Sequence, residues 1–135
     1  MKKSRLINSE ITAVIARMGH LDELTICDAG LPIPKSTPRI DLAISQNLPP
    51  LLSVLEAVFS ELQVESVIIA RECQTQSPNF YQRLMAVIDQ QNPPVAVALL
   101  SHSELKAQTS NSQAIVRTGE YTPFANIILK SGVVF

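Results

Sequence analysis

The 135 residues suffice for one domain spanning residues 1–135, because a chain of this size buries roughly 68% of the surface its unfolded form exposes. With 46% hydrophobic and 17% charged residues, the composition is that of an ordinary soluble protein, slightly apolar. A net charge of −1, 4% aromatics and no tryptophan exclude the basic face and stacking platforms of a nucleic-acid binder.

The basic start, Met1 to Arg5, is not followed by an apolar run, since Asn8, Ser9, Glu10 and Arg17 interrupt every window. A secretory signal is therefore not expected. Nor is a membrane span, which needs about 20 consecutive apolar residues. Cys27 and Cys73 form no C-x-x-C pattern and are expected as free thiols in a reducing cytoplasm.

Asn8 or Ser9 can cap a first helix whose buried face is Ile11, Val14, Ile15 and Met18. Gly19 is expected to end it in the left-handed conformation that glycine tolerates. His20 then sits just past a helix C-terminus, where the macrodipole favours its charged form by about 0.3–1 kcal/mol. Leu24 to Cys27 reads as a short buried strand ended by Asp28. Residues 29–39 hold Pro32, Pro34 and Pro38, so they form an extended loop with three backbone donors missing. Ile40 to Ile44 fits either a short strand or a helical turn.

Pro49-Pro50 opens a helix with apolar positions from Leu51 to Leu62, and the β-branched run Val64 to Ala70 reads as an interior strand. Ser77-Pro78 supplies an N-cap with proline at the first helical position; Asn92-Pro93-Pro94 closes that helix. Val95 to Leu100 is strand-like. Ser101 or Ser103 caps a short helix, and Glu104 completes a capping box if Ser101 is the cap. Gln113–Arg117 and Ala125–Lys130 are read as two last strands joined by a turn around Gly119 and Pro123. The alternation predicts an α/β layered fold, with a mixed sheet covered by helices.

Four glycines, at 19, 30, 119 and 132, cannot write a dinucleotide or Walker loop, and two His with two Cys miss zinc-ligand spacing. What remains is a small polar set. His20 is the type of group that exchanges protons near neutrality, with a solvated turn residue as the plain alternative. Asp28 falls where ligands bind in open α/β sheets, outside a strand's carboxyl end, but strand-end aspartates also simply form turns. His20 and Asp28 are separated by up to about 26 Å of extended chain, so they meet only through a folded-back turn or a second subunit. His102 and Lys106 share one helix face at i, i+4. Asn126 heads an otherwise apolar strand, where a buried amide needs partners.

The run from Gly19 to Thr37, GHLDELTICDAGLPIPKST, resembles the signature of the ribose pyranase/fucose mutarotase family. The likeness resumes at Gln63-Val64-Glu65, Ile68-Ile69-Ala70, His102, Lys106 to Thr109, Ser112 to Ala114, Arg117 to Glu120 and Ala125 to Leu129. It implies cofactor-free, metal-free interconversion of the pyranose and furanose forms of D-ribose. It also implies His20 as the catalytic residue, with Asp28, His102, Lys106, Phe124 and Asn126 against the sugar. Subunits are expected in pentameric rings paired into decamers, with sites at the junctions. One departure stands out: the family pattern has a tyrosine where this chain has Phe124, so a ring is kept and a hydroxyl lost. Two alternatives stay open, a non-catalytic sugar-binding module and a mutarotase for another sugar such as fucose.

Overall fold

Segments that are apolar on both faces belong in the middle of a sheet, and they are found there. The computed structural model describes residues 1–135. Its elements are α1 (Ser9–Arg17), β1 (Glu23–Cys27), β2 (Arg39–Asp41), α2 (Leu51–Phe59), β3 (Val64–Ala70), α3 (Arg71–Gln76), α4 (Pro78–Asp89), β4 (Ala96–Leu100), α5 (His102–Gln108), β5 (Ala114–Arg117) and β6 (Ile127–Ser131). The six strands form one sheet in the order β2-β5-β1-β6-β3-β4. β1 is buried at every position. It runs parallel to β5 and antiparallel to β6, with Leu24 opposite both Ala114 and Leu129. β6 is also antiparallel to β3, and is the strand that makes the sheet mixed.

The main core lies on one face, where Leu24, Ile26, Val67, Ile69, Ile127 and Leu129 meet Ile11, Leu51, Leu55 and Leu84 from the helices. The other face carries Ile128 and Ala70 under Leu105 of α5, and Cys27 and Ile115 under Leu31 of the proline loop. No helix is long and apolar enough to cross a membrane.

Several local expectations are met. Asn8 Oδ1 accepts from the Ile11 N–H at 2.9 Å, and the Ser101–Glu104 capping box is complete. Others are corrected. No glycine has a positive φ; α1 ends instead through Met18 in an extended conformation, and the left-handed residue is Leu21, at φ 69°. The Asp22 carboxylate makes this possible by taking the Gly19 N–H at 2.8 Å, replacing the bond a left-handed cap would have made. The segment beginning at Ile40 is a strand, though only Arg39–Asp41, because beyond Asp41 the chain leaves its partner β5. The second helix stops at Phe59 rather than Leu62, where Leu62 still buries itself after the turn. Ser77 makes no side-chain cap; its hydroxyl donates to the Pro123 carbonyl at 2.8 Å. β5 and β6 do not form a hairpin, because β1 lies between them. The short polar helix α3, with Cys73 as its one buried residue, has no apolar period to announce it.

Candidate active site

β1, β3 and β4 end on the same side of the sheet, and β6 begins there. That arrangement brings Asp28, His102, Phe124 and Asn126 together from three distant stretches of sequence. Asn126 is 1% exposed, and its amide is used twice by one residue. Its Oδ1 accepts from the Asp28 N–H at 3.0 Å, and its Nδ2 donates to Asp28 Oδ2 at 3.0 Å. The other carboxylate oxygen, Oδ1, takes the Gly30 N–H at 2.9 Å. Asp28 is thereby fixed in one orientation.

Burial raises the Asp28 pKa above the ordinary carboxylate value. Hydrogen bonds from Gly30, Asn126 and Leu31, and the nearby His102, oppose that rise without cancelling it. Burial pushes the neighbouring Cys27 thiol up to about 12, with the Asp28 charge adding to the effect. At neutral pH this thiol is inert as a nucleophile.

His102 opens α5, and its N–H donates to Glu72 of α3 at 2.9 Å. Its ring meets Phe124 edge to face, with centroids 5.0 Å apart and planes at 87°. Phe124 holds a left-handed backbone, φ 61°, a conformation that costs a bulky residue about 1–3 kcal/mol. The turn is tied down by Ser77 on the Pro123 carbonyl and by Thr122, whose hydroxyl donates to Glu120 Oε1 at 2.6 Å. Glu120 in turn takes the Leu51 N–H at the start of α2. His102 Nδ1 is buried without a hydrogen-bond partner. Lys106 stands one turn further along α5, and its ammonium makes no ion pair within the chain.

A cleft of about 380 Å³ opens beside Asp28, walled by Gly30, Arg117, Glu120, Tyr121 and Thr122. Its volume lies in the small-molecule range of about 300–1,000 Å³. Arg117 braces one wall, with Nη1 3.1 Å from both Asp41 oxygens and Nε donating to the Ala29 carbonyl at 3.0 Å. His102, Phe124 and Asn126 are not among the walls, so the cleft reaches the cluster only through Asp28. No three His, Cys, Asp or Glu side chains converge in a way that could hold a metal ion.

His20 is elsewhere. It precedes β1, whereas Asp28 follows it, and the Leu21–Asp22 turn does not fold back toward the cluster. Its Nε2 lies 2.9 Å from Glu65 Oε2, near the start of β3 at the opposite end of the sheet. Four supports received no role from sequence: Glu72, which lies outside every family-like stretch, and Glu65, Arg117 and Glu120, which lie within them. Each is a polar residue whose role arises only from tertiary contact.

Fold and cluster together describe a small α/β protein with a polar ligand site at its strand ends, and the chain belongs to the RbsD / FucU transport protein family, whose model matches residues 1–134. More particularly, the chain is 50% identical to a D-ribose pyranase of Vibrio campbellii and 47% identical to one of Escherichia coli, over the full length of each. Among solved structures it is similar to Bacillus subtilis RbsD complexed with D-ribose, at 37% identity, full coverage of both chains and a TM-score of 0.92. A fucose mutarotase from Streptococcus pneumoniae in complex with L-fucose shares the fold, at 22% identity and a TM-score of 0.74 with both chains fully covered.

Proposed function

We propose that this chain is a D-ribose pyranase, an isomerase that opens β-D-ribopyranose and recloses it as the furanose. The observation that carries the reading is the Asp28–Asn126 pair, bonded in advance, with the buried and unpartnered Nδ1 of His102 nearby. Fixed carboxylate and imidazole acceptors suit a molecule presenting several hydroxyls, and a sugar hydroxyl would satisfy His102 Nδ1. Full-length identity to curated D-ribose pyranases gives the substrate.

Ring opening removes the proton of the anomeric hydroxyl as the bond to the ring oxygen breaks, and a proton is delivered to that oxygen. Reclosure reverses both transfers through a different hydroxyl. No electrons leave the sugar and no cofactor is called for. His20 is the acid–base group in this reading, with Asp28, His102, Lys106, Phe124 and Asn126 holding the sugar. General acid–base catalysis of this kind contributes about 10²–10⁴-fold.

Since His20 and Asp28 sit at opposite ends of one sheet, a working site needs His20 from a neighbouring copy. A head-to-tail contact of this kind closes into a ring where its rotation permits, and the proposed assembly is such a ring, a pentamer paired into a decamer. Cytoplasmic residence is supported by two buried free thiols.

Saturation-transfer NMR on ribose tests the activity. Wild type should speed exchange between pyranose and furanose signals, and His20→Ala and Asp28→Ala should each fail alone. Exchange should return when the two variants are unfolded, mixed and reassembled, because mixed junctions restore complete sites. Ribose binding without faster exchange would instead make this a sugar-binding module. Faster exchange of fucose than of ribose would move the substrate.

A further inference from the structure

Building on the reading of His20 as the acid–base group, we infer that Glu65 is its positioning residue: its carboxylate holds the His20 Nε2–H and leaves Nδ1 free to exchange protons with the sugar.

Three backbone features converge on this contact. First, β3 carries a bulge against β6. Val64 pairs with Ser131 and Ser66 with Lys130, so two steps on β3 match one on β6 and Glu65 is the extra residue. A bulge of this kind re-aims a side chain out of the regular pleat. Second, Gly132 leaves the room that Glu65 occupies. A Cβ at Gly132 would come within 3.1 Å of Glu65 Cβ and 3.4 Å of its backbone N. Third, the residue after His20, Leu21, is held left-handed at φ 69°, a conformation that non-glycine residues adopt at a cost. Leu21 N–H donates to the Ser131 carbonyl at 2.9 Å and Ser131 N–H donates to the Asp22 carbonyl at 2.9 Å, clamping the His20 turn to the bulged region.

Those features do not serve stability. His20 and Glu65 side chains are 50% and 42% exposed, and exposed ion pairs add little to folding. The other charged groups at this end are already engaged. Asp22 accepts from the Gly19 N–H and from Gln113 Nε2, at 2.8 and 3.2 Å. Glu23 takes Gln108 Nε2 at 2.9 Å on Oε1 and 3.0 Å on Oε2, and lies 3.5 Å from Lys130 Nζ. Glu65 is thus the carboxylate that the fold reserves for His20. The hydrogen bond made by one ring nitrogen sets the protonation of the other, and this one selects the Nε2–H tautomer.

The test combines histidine NMR with the exchange assay on wild type, Glu65→Gln and Glu65→Ala, with His20→Ala as reference. The chain has two histidines, so the ring signals are easily assigned. Wild type should show His20 as the Nε2–H tautomer. Glu65→Ala should mix the tautomers, slow exchange about tenfold or more, and leave ribose affinity unchanged. Glu65→Gln, which keeps an acceptor but no charge, should recover part of the rate. A merely structural residue would leave the His20 tautomer where it is. An Nδ1–H tautomer in wild type, or full activity with an unchanged tautomer in Glu65→Ala while His20→Ala is silent, overturns the inference and leaves the site reading intact. Full activity in His20→Ala overturns that reading and the inference with it.

Discussion

The two ends of the sheet are built to different standards. At the Asp28 end, Asn126 is buried, Asp28 donates one hydrogen bond and accepts two, and His102 packs against a strained Phe124. At the other end, His20 and Glu65 stand half exposed, in contact mainly with each other. The contrast separates two tasks. Holding a sugar requires groups fixed before it arrives, since each rotor frozen on binding reduces affinity. Moving protons requires one accessible imidazole, delivered to the sugar from outside the holding cluster. In the proposed reading the tasks are kept apart within one chain, and a neighbouring copy reunites them.

The largest break in this comparison is His20→Ala. It should slow ribose exchange by about 10²–10⁴-fold while changing unfolding free energy by no more than about 0.5 kcal/mol, as for other exposed positions. Calorimetric titration with ribose on the same variant should still report binding. Loss of both activity and stability would mean that the exposed end is part of the core architecture, and the division of tasks would collapse.

Asn126→Ala attacks the buried end and should behave in the opposite way. It strands the Asp28 N–H and frees the carboxylate, leaving buried polar groups unpartnered at a cost of about 1–3 kcal/mol. Urea unfolding should register that loss, and ribose affinity should fall with it. A stability equal to wild type would show that water replaces the amide, and that the cluster is less closed than its hydrogen bonds indicate.

How much of this was legible in the sequence divides along the same line. α1, α2, α4 and α5 follow from local periodicity and caps, and β1, β3 and β4 from short apolar runs, because those signals act over a few residues. The position of Asp28 at a strand end followed as well. The sheet order did not: nothing local in Gln113–Arg117 or Ala125–Lys130 tells that β1 inserts between them. Gly19 misled because glycine merely permits a left-handed backbone, whereas Asp22 and the Ser131 carbonyl dictated where it occurs. Glu65 and Glu72 received no role from the sequence, since a bulge and a helix-to-helix contact are tertiary events. The count of residues between His20 and Asp28 left two ways for them to meet, a folded-back turn or a second subunit; the structure removes the first, and the proposed function takes the second.

A gentler probe of the buried end is pH. Burial favours the neutral form of Asp28, so the folded chain keeps that proton to higher pH than the unfolded chain. Ionising Asp28 therefore costs stability as pH rises from the ordinary carboxylate range through the raised value. Ribose affinity should run the other way, because a sugar hydroxyl bonds more strongly to the carboxylate than to the neutral acid. Below the raised value affinity should fall by about tenfold per pH unit at most, starting at higher pH than an ordinary aspartate would allow. Calorimetry across mildly acidic pH, with Asp28→Asn as a flat and weaker control, measures both limbs. A pH-independent wild type would remove Asp28 from the sugar contacts.

The smallest expected effect comes from Phe124→Tyr, and it sharpens what the buried end lacks. Both residues are bulky, so both bear the left-handed strain at this position and the exchange should leave stability within about 0.5 kcal/mol. The aromatic edge on His102 is retained, since the ring is common to both. What changes is one hydroxyl at the rim of a site that otherwise offers acceptors and few donors. A phenol both donates and accepts, so it should add one hydrogen bond to the sugar, worth about 0.5–1.5 kcal/mol, or up to about tenfold in affinity. If the hydroxyl instead points into the packed side of the ring, it finds no partner there and affinity falls. Ribose titration distinguishes the two by sign: a gain places the Phe124 ring edge against the sugar, and a loss assigns the ring to packing beneath His102.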